Sequence, residues 1–332
     1  MTNQTHTFTS NETIRLDKFL SEKLTDISRN QLEKLVKTKG VEINGQPTHK
    51  CSYKLHSGDE VTCTLIINTP NESIDCTNFD IDIPIIYEDD DILIVNKPPN
   101  ISVHRSASES NLTIVDWLIA KNISLSTISG EERHGIVHRL DKPTSGCLII
   151  AKNNETHAHL SEQLKNRTMG RYYLALTNPP THDEKIIDKP IGRNRATRLK
   201  MTTQNPVHPK DAKTHFVPLA QSLDEKTTLL VAKLFSGRTH QIRAHLQSIQ
   251  RVVLGDEKYG YKKEWELTNH IFLHACLLYF VHPKSNEQMF FMSDTNSQMQ
   301  SFIEDNYDWN ELREKLNANS IINLFSSTNK IV

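Results

Sequence analysis

The residues best placed to do chemistry lie in one stretch, Gly135–Lys152 (GIVHRLDKPTSGCLIIAK). Arg139 and Asp141 flank a single leucine, just before the turn formers Pro143 and Gly146. Ile136, Val137 and Leu140 precede them and the apolar run Cys147–Ala151 follows, both of strand rather than helix length. The spacing predicts two strands joined by a turn whose mouth carries a carboxylate and a guanidinium. Loops held by a rigid scaffold are where reactive groups sit. An isolated Arg-x-Asp is ordinarily a surface ion pair, so the rest of the chain must decide. Two further segments offer suitable groups: Tyr173 in the strand pattern Tyr172–Leu176, and Arg243 where Gly237–Leu246 turns into a helix. Taken singly, Tyr173 reads as a core aromatic and Arg243 as a surface charge.

Several chemistries are excluded by what the 11 glycines do not spell. Neither G-x-G-x-x-G nor G-x-x-x-x-G-K-[ST] occurs, so no nucleotide-phosphate cradle is visible, and no serine sits in G-x-S-x-G. His138-Arg139-Leu140-Asp141 is interrupted by leucine and lacks a downstream D-F-G, which removes a kinase catalytic loop. Five scattered cysteines without C-x-x-C spacing argue against zinc and against a disulfide framework. The histidine pairs His134/His138 and His157/His159 have no third ligand in a recognisable pattern, so no metal site is expected. What remains is a carboxylate that can act as nucleophile or base without a metal, if an arginine keeps it ionised and oriented. Aromatic rings and arginines beside it could hold a base extruded from RNA.

The elements that must position these groups fall into two units within 332 residues. Residues 1–12 read as a polar, frayed start. A short amphipathic helix is expected from Ile14 and a second from Arg29 to about Thr38, with Ser28 as its N-cap. Strands around Val41–Gly45 and Val61–Ile67 follow. Residues 68–80 read as a polar linker. From residue 81 to 300 strands outnumber helices without regular βαβ alternation, which predicts an α+β fold with a mainly antiparallel mixed sheet. Pro190–Lys213 is basic with little apolar patterning, and the tail 301–332 is expected to be helical around Trp309–Leu316 before fraying. The net charge of -1 hides segregation: Glu72–Asp91 carries no Lys or Arg, whereas 15–54 and 189–213 lean basic. That pattern suits one face for a polyanion. With no signal peptide and no membrane-length apolar run, a cytoplasmic protein is expected.

Arg15-Leu16-Asp17, Ser28-Arg29, Val41-Glu42-Ile43-Asn44-Gly45 and Gly58-Asp59-Glu60-Val61 together resemble an S4 RNA-binding domain over residues 13–67. The resemblance implies RNA contacts through Arg15, Arg29, Lys34 and Lys37. The second unit resembles a pseudouridine synthase of the RluA type. His138-Arg139-Leu140-Asp141 with Thr144-Ser145-Gly146, Arg171-Tyr172-Tyr173-Leu174-Ala175, Gly237–Leu246 and Leu273-His274-Ala275 match that family's motifs in order. The resemblance is to the group acting on bacterial large-subunit (23S) ribosomal RNA, and the segments Ile187–Ile191, Arg198–Met201 and Ala212–His215 lean towards the subgroup modifying the central helix of that RNA.

The resemblance implies isomerisation of uridine to pseudouridine with no cofactor. Asp141 would attack or deprotonate at the target ribose. Tyr173 would pack against the base and assist proton removal. Arg243 would pair with Asp141, and Arg139 would fill the place of the flipped uridine. His138, Lys142, Arg198, Arg238 and His240 would contact RNA. Expected partners are ribosomal RNA or a large-subunit assembly intermediate, not DNA or a membrane, and a monomer is expected. Arg105-Ser106-Ala107-Ser108, where relatives are often glycine-rich, and Asn205–Pro209 depart from the family in places that would grip RNA. A catalytically idle RNA-binding factor and a base-releasing glycosylase are the alternatives.

Overall fold

The computed structural model of the chain describes residues 2–24, 29–67, 81–105, 111–130, 133–197, 199–261 and 270–326. Its first sheet is ordered Thr2–Thr9, Glu60–Ile67, Val41–Ile43, Gln46–Thr48. The polar start is therefore a strand rather than a frayed end. β-Branched threonines suit a half-buried ladder, Phe8 packs on the core, and Thr5–Thr64 and Thr7–Thr62 hydroxyl pairs cross it at 3.2 Å. Helices Leu16–Lys23 and Arg29–Lys39 cover the sheet with Leu16, Phe19, Leu20, Leu32 and Val36, buried against Val41, Ile43, Leu55 and Val61. The first helix begins at Leu16 because Ile14–Arg15 pairs with Lys54–Leu55 instead. Ser28 and the linker 68–80 lie outside the described residues.

The second unit is built on a ten-stranded sheet. Eight strands follow in the order Lys185–Asp188, Lys213–Gln221, Thr228–Leu234, Gly170–Asn178, Leu273–Val281, Ser145–Ala151, Ile92–Lys97, Ile85–Glu88. Val252–Val253 adds to Gly170–Asn178, and Gln288–Met292 to Leu273–Val281. Only Leu273–Val281 and Ser145–Ala151 run parallel, so the fold is α+β with a mainly antiparallel mixed sheet, as expected. Side chains alternate between two cores: Tyr173 and Ala175 face one with Leu148, Ile150 and Ile242, while Tyr172, Leu174 and Leu176 face the other. No described helix is long and apolar enough to cross a membrane.

Two expectations need correction, and a region without a sequence assignment gains structure. Residues 136–140 are not a strand; only Ile136 forms a single bridge, to Ile150. The Ile149 amide donates instead to Nε2 of His138 at 3.3 Å, so a side chain takes the place of a ladder partner and the backbone is released. The basic region after Pro190 forms a small sheet of its own, Met201–Thr202, Ile191–Arg193 and Val207–Lys210, over Ile191, Ala212, Ala244 and Tyr259. Its strands are too short to show a period in the sequence. The C-terminal segment stays helical beyond Leu316 within the described residues, which end at 326. Helices Ser297–Asn306, Trp309–Lys315 and Ala318–Asn323 are capped by Asn296, Asp308 and Asn317, and bury Phe302, Tyr307, Leu312, Ile321 and Phe325 against Tyr172 and Leu229.

Candidate active site

Asp141 lies four residues before the fully buried strand Ser145–Ala151, in a turn closed by the Thr144 amide donating to the Asp141 carbonyl. Two features fix that turn. Gly146 has φ +114°, and a Cβ there would stand 2.3 Å from the Ala275 carbonyl oxygen of the parallel neighbour, so only glycine allows the two strands this close. Lys97 is fully buried, and its Nζ donates to the carbonyls of Pro98, Ile101 and Lys142 at 2.7, 2.8 and 3.2 Å. Burial pushes its pKa down to about 7 while the Asp141 charge works the other way. Three acceptors need three N–H donors, so this geometry favours the ammonium form. Lys97 thus ties the residue after Asp141 to the neighbouring strand. Sequence reasoning passed over it, although Asn96-Lys97-Pro98 at a strand end was visible.

Arg243 comes from the helix Gln241–Ser248. The turn before the helix is held by Gln241, whose Oε1 accepts from the Arg238 amide and the Ser236 hydroxyl, and whose Nε2 donates to the Lys213 carbonyl and Thr214. Arg243 Nη1 reaches Asp141 Oδ2 at 3.2 Å. The expected pairing is present, but the two-pronged contact goes elsewhere: Nε and Nη2 donate to Asp256 Oδ2 and Oδ1 at 2.6 and 2.7 Å. Asp256 is 1 % exposed and stands just beyond Val252–Val253, the short strand paired with the end of the tyrosine strand. Tyr259 lies beneath, its ring centroid 4.8 Å from the guanidinium carbon. Its hydroxyl meets His240 Nδ1 and the Met201 backbone. Neither Asp256 nor Tyr259 was anticipated, because no motif spacing ties them to Arg243.

Burial works to raise the Asp141 carboxyl, but His240, Arg243 and Arg139 together hold it below the ordinary carboxylate value. His240 Nε2 stands 3.9 Å from Asp141 Oδ2, and burial pushes the His240 pKa down to about 4. At neutral pH that ring is uncharged and the two arginines face the carboxylate; His240 adds its charge only as pH falls towards its own value. Burial likewise opposes the Arg243 charge, and Asp256 and Asp141 more than restore it, raising its pKa. Tyr173 is 5 % exposed, and burial pushes its phenol up to about 12. Opposite it the pairing with Leu273–Val281 slips by one residue between Tyr172 and Leu174, the extra residue lying on Leu273–Val281. Arg139, Asp141, Arg171, Tyr173, Gly237, His240 and Arg243 line one narrow cleft, open to solvent. A carboxylate held ionised between cations beside a neutral aromatic ring is equipped for nucleophilic or base chemistry on a substrate that stacks on that ring.

The expected RNA-contacting residues divide. Arg139 and Lys142 are exposed, as is Arg238, whose Nε donates to the Asp211 carbonyl. His240 belongs to the cleft. His138 is buried and its pKa falls to about 3 through burial, so it packs rather than faces RNA. Arg15 is occupied by a two-pronged bond to Asp17 at 3.0 and 2.8 Å, and Lys37 pairs with Glu33. The side chains of Arg29 and Lys34, and Arg198 altogether, lie outside the described residues. Among the described residues Asp89, Asp91 and His282 come close enough to share a metal ion. Asp91 already meets Lys284 and Asn153, and Asp89 accepts two backbone amides and the Tyr87 hydroxyl.

Residues 91–248 match the RNA pseudouridylate synthase family and residues 14–61 the S4 domain. The chain is 41 % identical to an RNA pseudouridine synthase of Helicobacter pylori (strain ATCC 700392 / 26695), over 94 % of this chain and 95 % of that one. It is 34 % identical to the ribosomal large subunit pseudouridine synthase D of Vibrio cholerae, over 83 % and 86 %. Human RNA pseudouridylate synthase domain containing 1 shares the fold, with a TM-score of 0.56 and 24 % identity over 71 % of this chain and 95 % of that one. The chain belongs to the RNA pseudouridine synthases, which are isomerases, and carries an S4 domain at its N-terminal end.

Proposed function

We propose that this protein isomerises uridines of large-subunit ribosomal RNA, with Asp141 as the reacting carboxylate. The observation that carries the chemistry is a carboxylate kept ionised by Arg243 and Arg139 in the cleft that Tyr173 lines. In this reading Asp141 attacks or deprotonates the ribose as the N-glycosidic bond breaks, and the detached uracil turns and rejoins through carbon. Tyr173 packs against the base. Being a neutral phenol, it assists removal of the carbon-5 proton only by passing that proton on to a stronger base. Arg139, exposed at the rim, occupies the gap left by the flipped nucleotide. The large-subunit assignment rests on relatives named ribosomal large subunit pseudouridine synthase D and on the basic segments around 187–215. Mapping pseudouridines in ribosomal RNA from a strain lacking the gene, and from the strain complemented with it, tests the assignment. Sites lost from large-subunit RNA and restored by the gene are expected. An unchanged large-subunit map with sites lost elsewhere would contradict it.

A further inference from the structure

Arg171 is a buried charged residue of the cleft to which the reading above gives no task. It lies on Gly170–Asn178 two positions before Tyr173, so both side chains leave the same face of the strand. It is 9 % exposed and lines the cleft that holds Asp141. Its Nε has no hydrogen-bond partner, and among the described residues no carboxylate pairs with its guanidinium. Arg243, by contrast, has two. Its guanidinium lies against the Gly237 turn, where a Cβ would stand 2.6 Å from Nη1. Burial lowers its pKa, as befits a cation without a counter-charge. A buried unpaired guanidinium destabilises the fold that holds it, unless a ligand supplies acceptors.

The ligand that fits is one that gains negative charge inside the cleft. We propose that Arg171 donates to the carbonyl oxygens of the detached uracil and takes up the charge that develops there. The inference rests on the isomerase reading. When the C1′–N1 bond breaks, its electron pair leaves on N1 and spreads over the two carbonyl oxygens. The base is then an anion until C5 bonds to C1′, C5 loses its proton and N1 gains one, which leaves an isomer of the starting nucleotide. A cation beside the stacking ring lowers the energy of that intermediate more than that of the neutral base, which accelerates the reaction. Depth beside Tyr173 favours the base over a backbone phosphate as the partner.

The test uses the full chain and an RNA fragment containing a uridine that the wild-type protein converts. Arg171→Gln is expected to lower the single-turnover rate about 100-fold. The dissociation constant for that RNA should stay within about threefold of wild type, and Arg171→Lys should recover part of the rate. Since the charge has no partner in the free protein, Arg171→Gln should leave the melting temperature unchanged or raised. The defect should shrink when cleavage of the C1′–N1 bond is followed on 5-fluorouridine, whose base departs more readily as an anion. Its C5 carries fluorine and no proton to lose, so bond cleavage and not pseudouridine formation is read on both substrates. A wild-type rate for Arg171→Gln, or an equal defect on both substrates, overturns the inference while leaving the isomerase reading intact. A lowered melting temperature makes Arg171 a structural residue and overturns it too. Weaker binding of RNA that lacks the target base assigns Arg171 to a phosphate instead. If wild-type protein forms no pseudouridine in any ribosomal RNA fragment, the isomerase reading itself fails and takes the inference with it.

Discussion

Arg243 is shared between two carboxylates, and the sharing decides what each substitution does. A lysine there cannot reproduce a fork on Asp256 together with a third bond to Asp141. Loss of one charge-assisted bond costs about 1.5–3 kcal/mol, or roughly 10- to 150-fold in rate if felt only in the transition state. Arg243→Lys should therefore lose rate in that range in single-turnover assays. Asp256→Asn, which touches no substrate, should also slow the reaction by letting the guanidinium swing, with RNA affinity unchanged. Arg243→Ala leaves the buried Asp256 without its partner, and melting should report a loss of about 3–5 kcal/mol. The sign of the pH effect follows from Asp141. Its depressed pKa keeps it ionised, and activity is lost only as pH falls through that low folded value. Without Arg243 the folded value rises towards the ordinary ~3.9 or above, so the acid limb of the pH–rate profile should move upward. At this scale Asp141, Tyr173 and Arg243 were legible because each sits in a contiguous pattern. Asp256, Tyr259 and Lys97 were not, because their roles exist only after remote segments meet.

Among the elements, the parallel contact between Ser145–Ala151 and Leu273–Val281 sets where the Asp141 turn can lie. The approach at Gly146 leaves no room for a side chain, since both backbone N and O of Ala275 lie within 2.5 Å of a Cβ position. Gly146→Ala carries about 1–3 kcal/mol of left-handed strain before any clash is counted. We expect a lower melting temperature and a larger loss of turnover than of RNA binding, measured on the same preparation. A variant as stable and active as wild type would show that the strands can separate there without moving Asp141. The long strands of this sheet were legible from continuous apolar runs, and the α+β class followed from them. The segment 136–140 misled because its apolar residues are buried by packing while His138, not a strand, satisfies the Ile149 amide. The C-terminal helices were underestimated because their apolar residues are few and spread, yet each lands on the face around Tyr172.

At the scale of the whole molecule, the S4-type unit closes a core of its own, from Phe8 to Cys63, distinct from the cores of the large sheet. Removing residues 1–67 should leave a folded second unit that retains its single-turnover chemistry and binds structured ribosomal RNA more weakly. Binding by the full chain should fall more steeply with salt than binding by the truncated chain, because phosphate contacts are lost with the first unit. Filter binding across a salt series checks both. The S4-type unit was legible from its basic helices and its Asn-Gly and Ser-Gly-Asp turns; the polar stretch 68–80 lies outside the described residues. The strand Thr2–Thr9 was missed, because alternating threonines read as polar until Glu60–Ile67 is there to pair with them. The central claim is that Asp141 performs the isomerisation, and purified wild-type and Asp141→Asn proteins test it most directly. Both should fold and bind ribosomal RNA alike; only the wild type should form pseudouridine, with Asp141→Asn reduced to background in a single turnover. Normal turnover by Asp141→Asn would contradict the account.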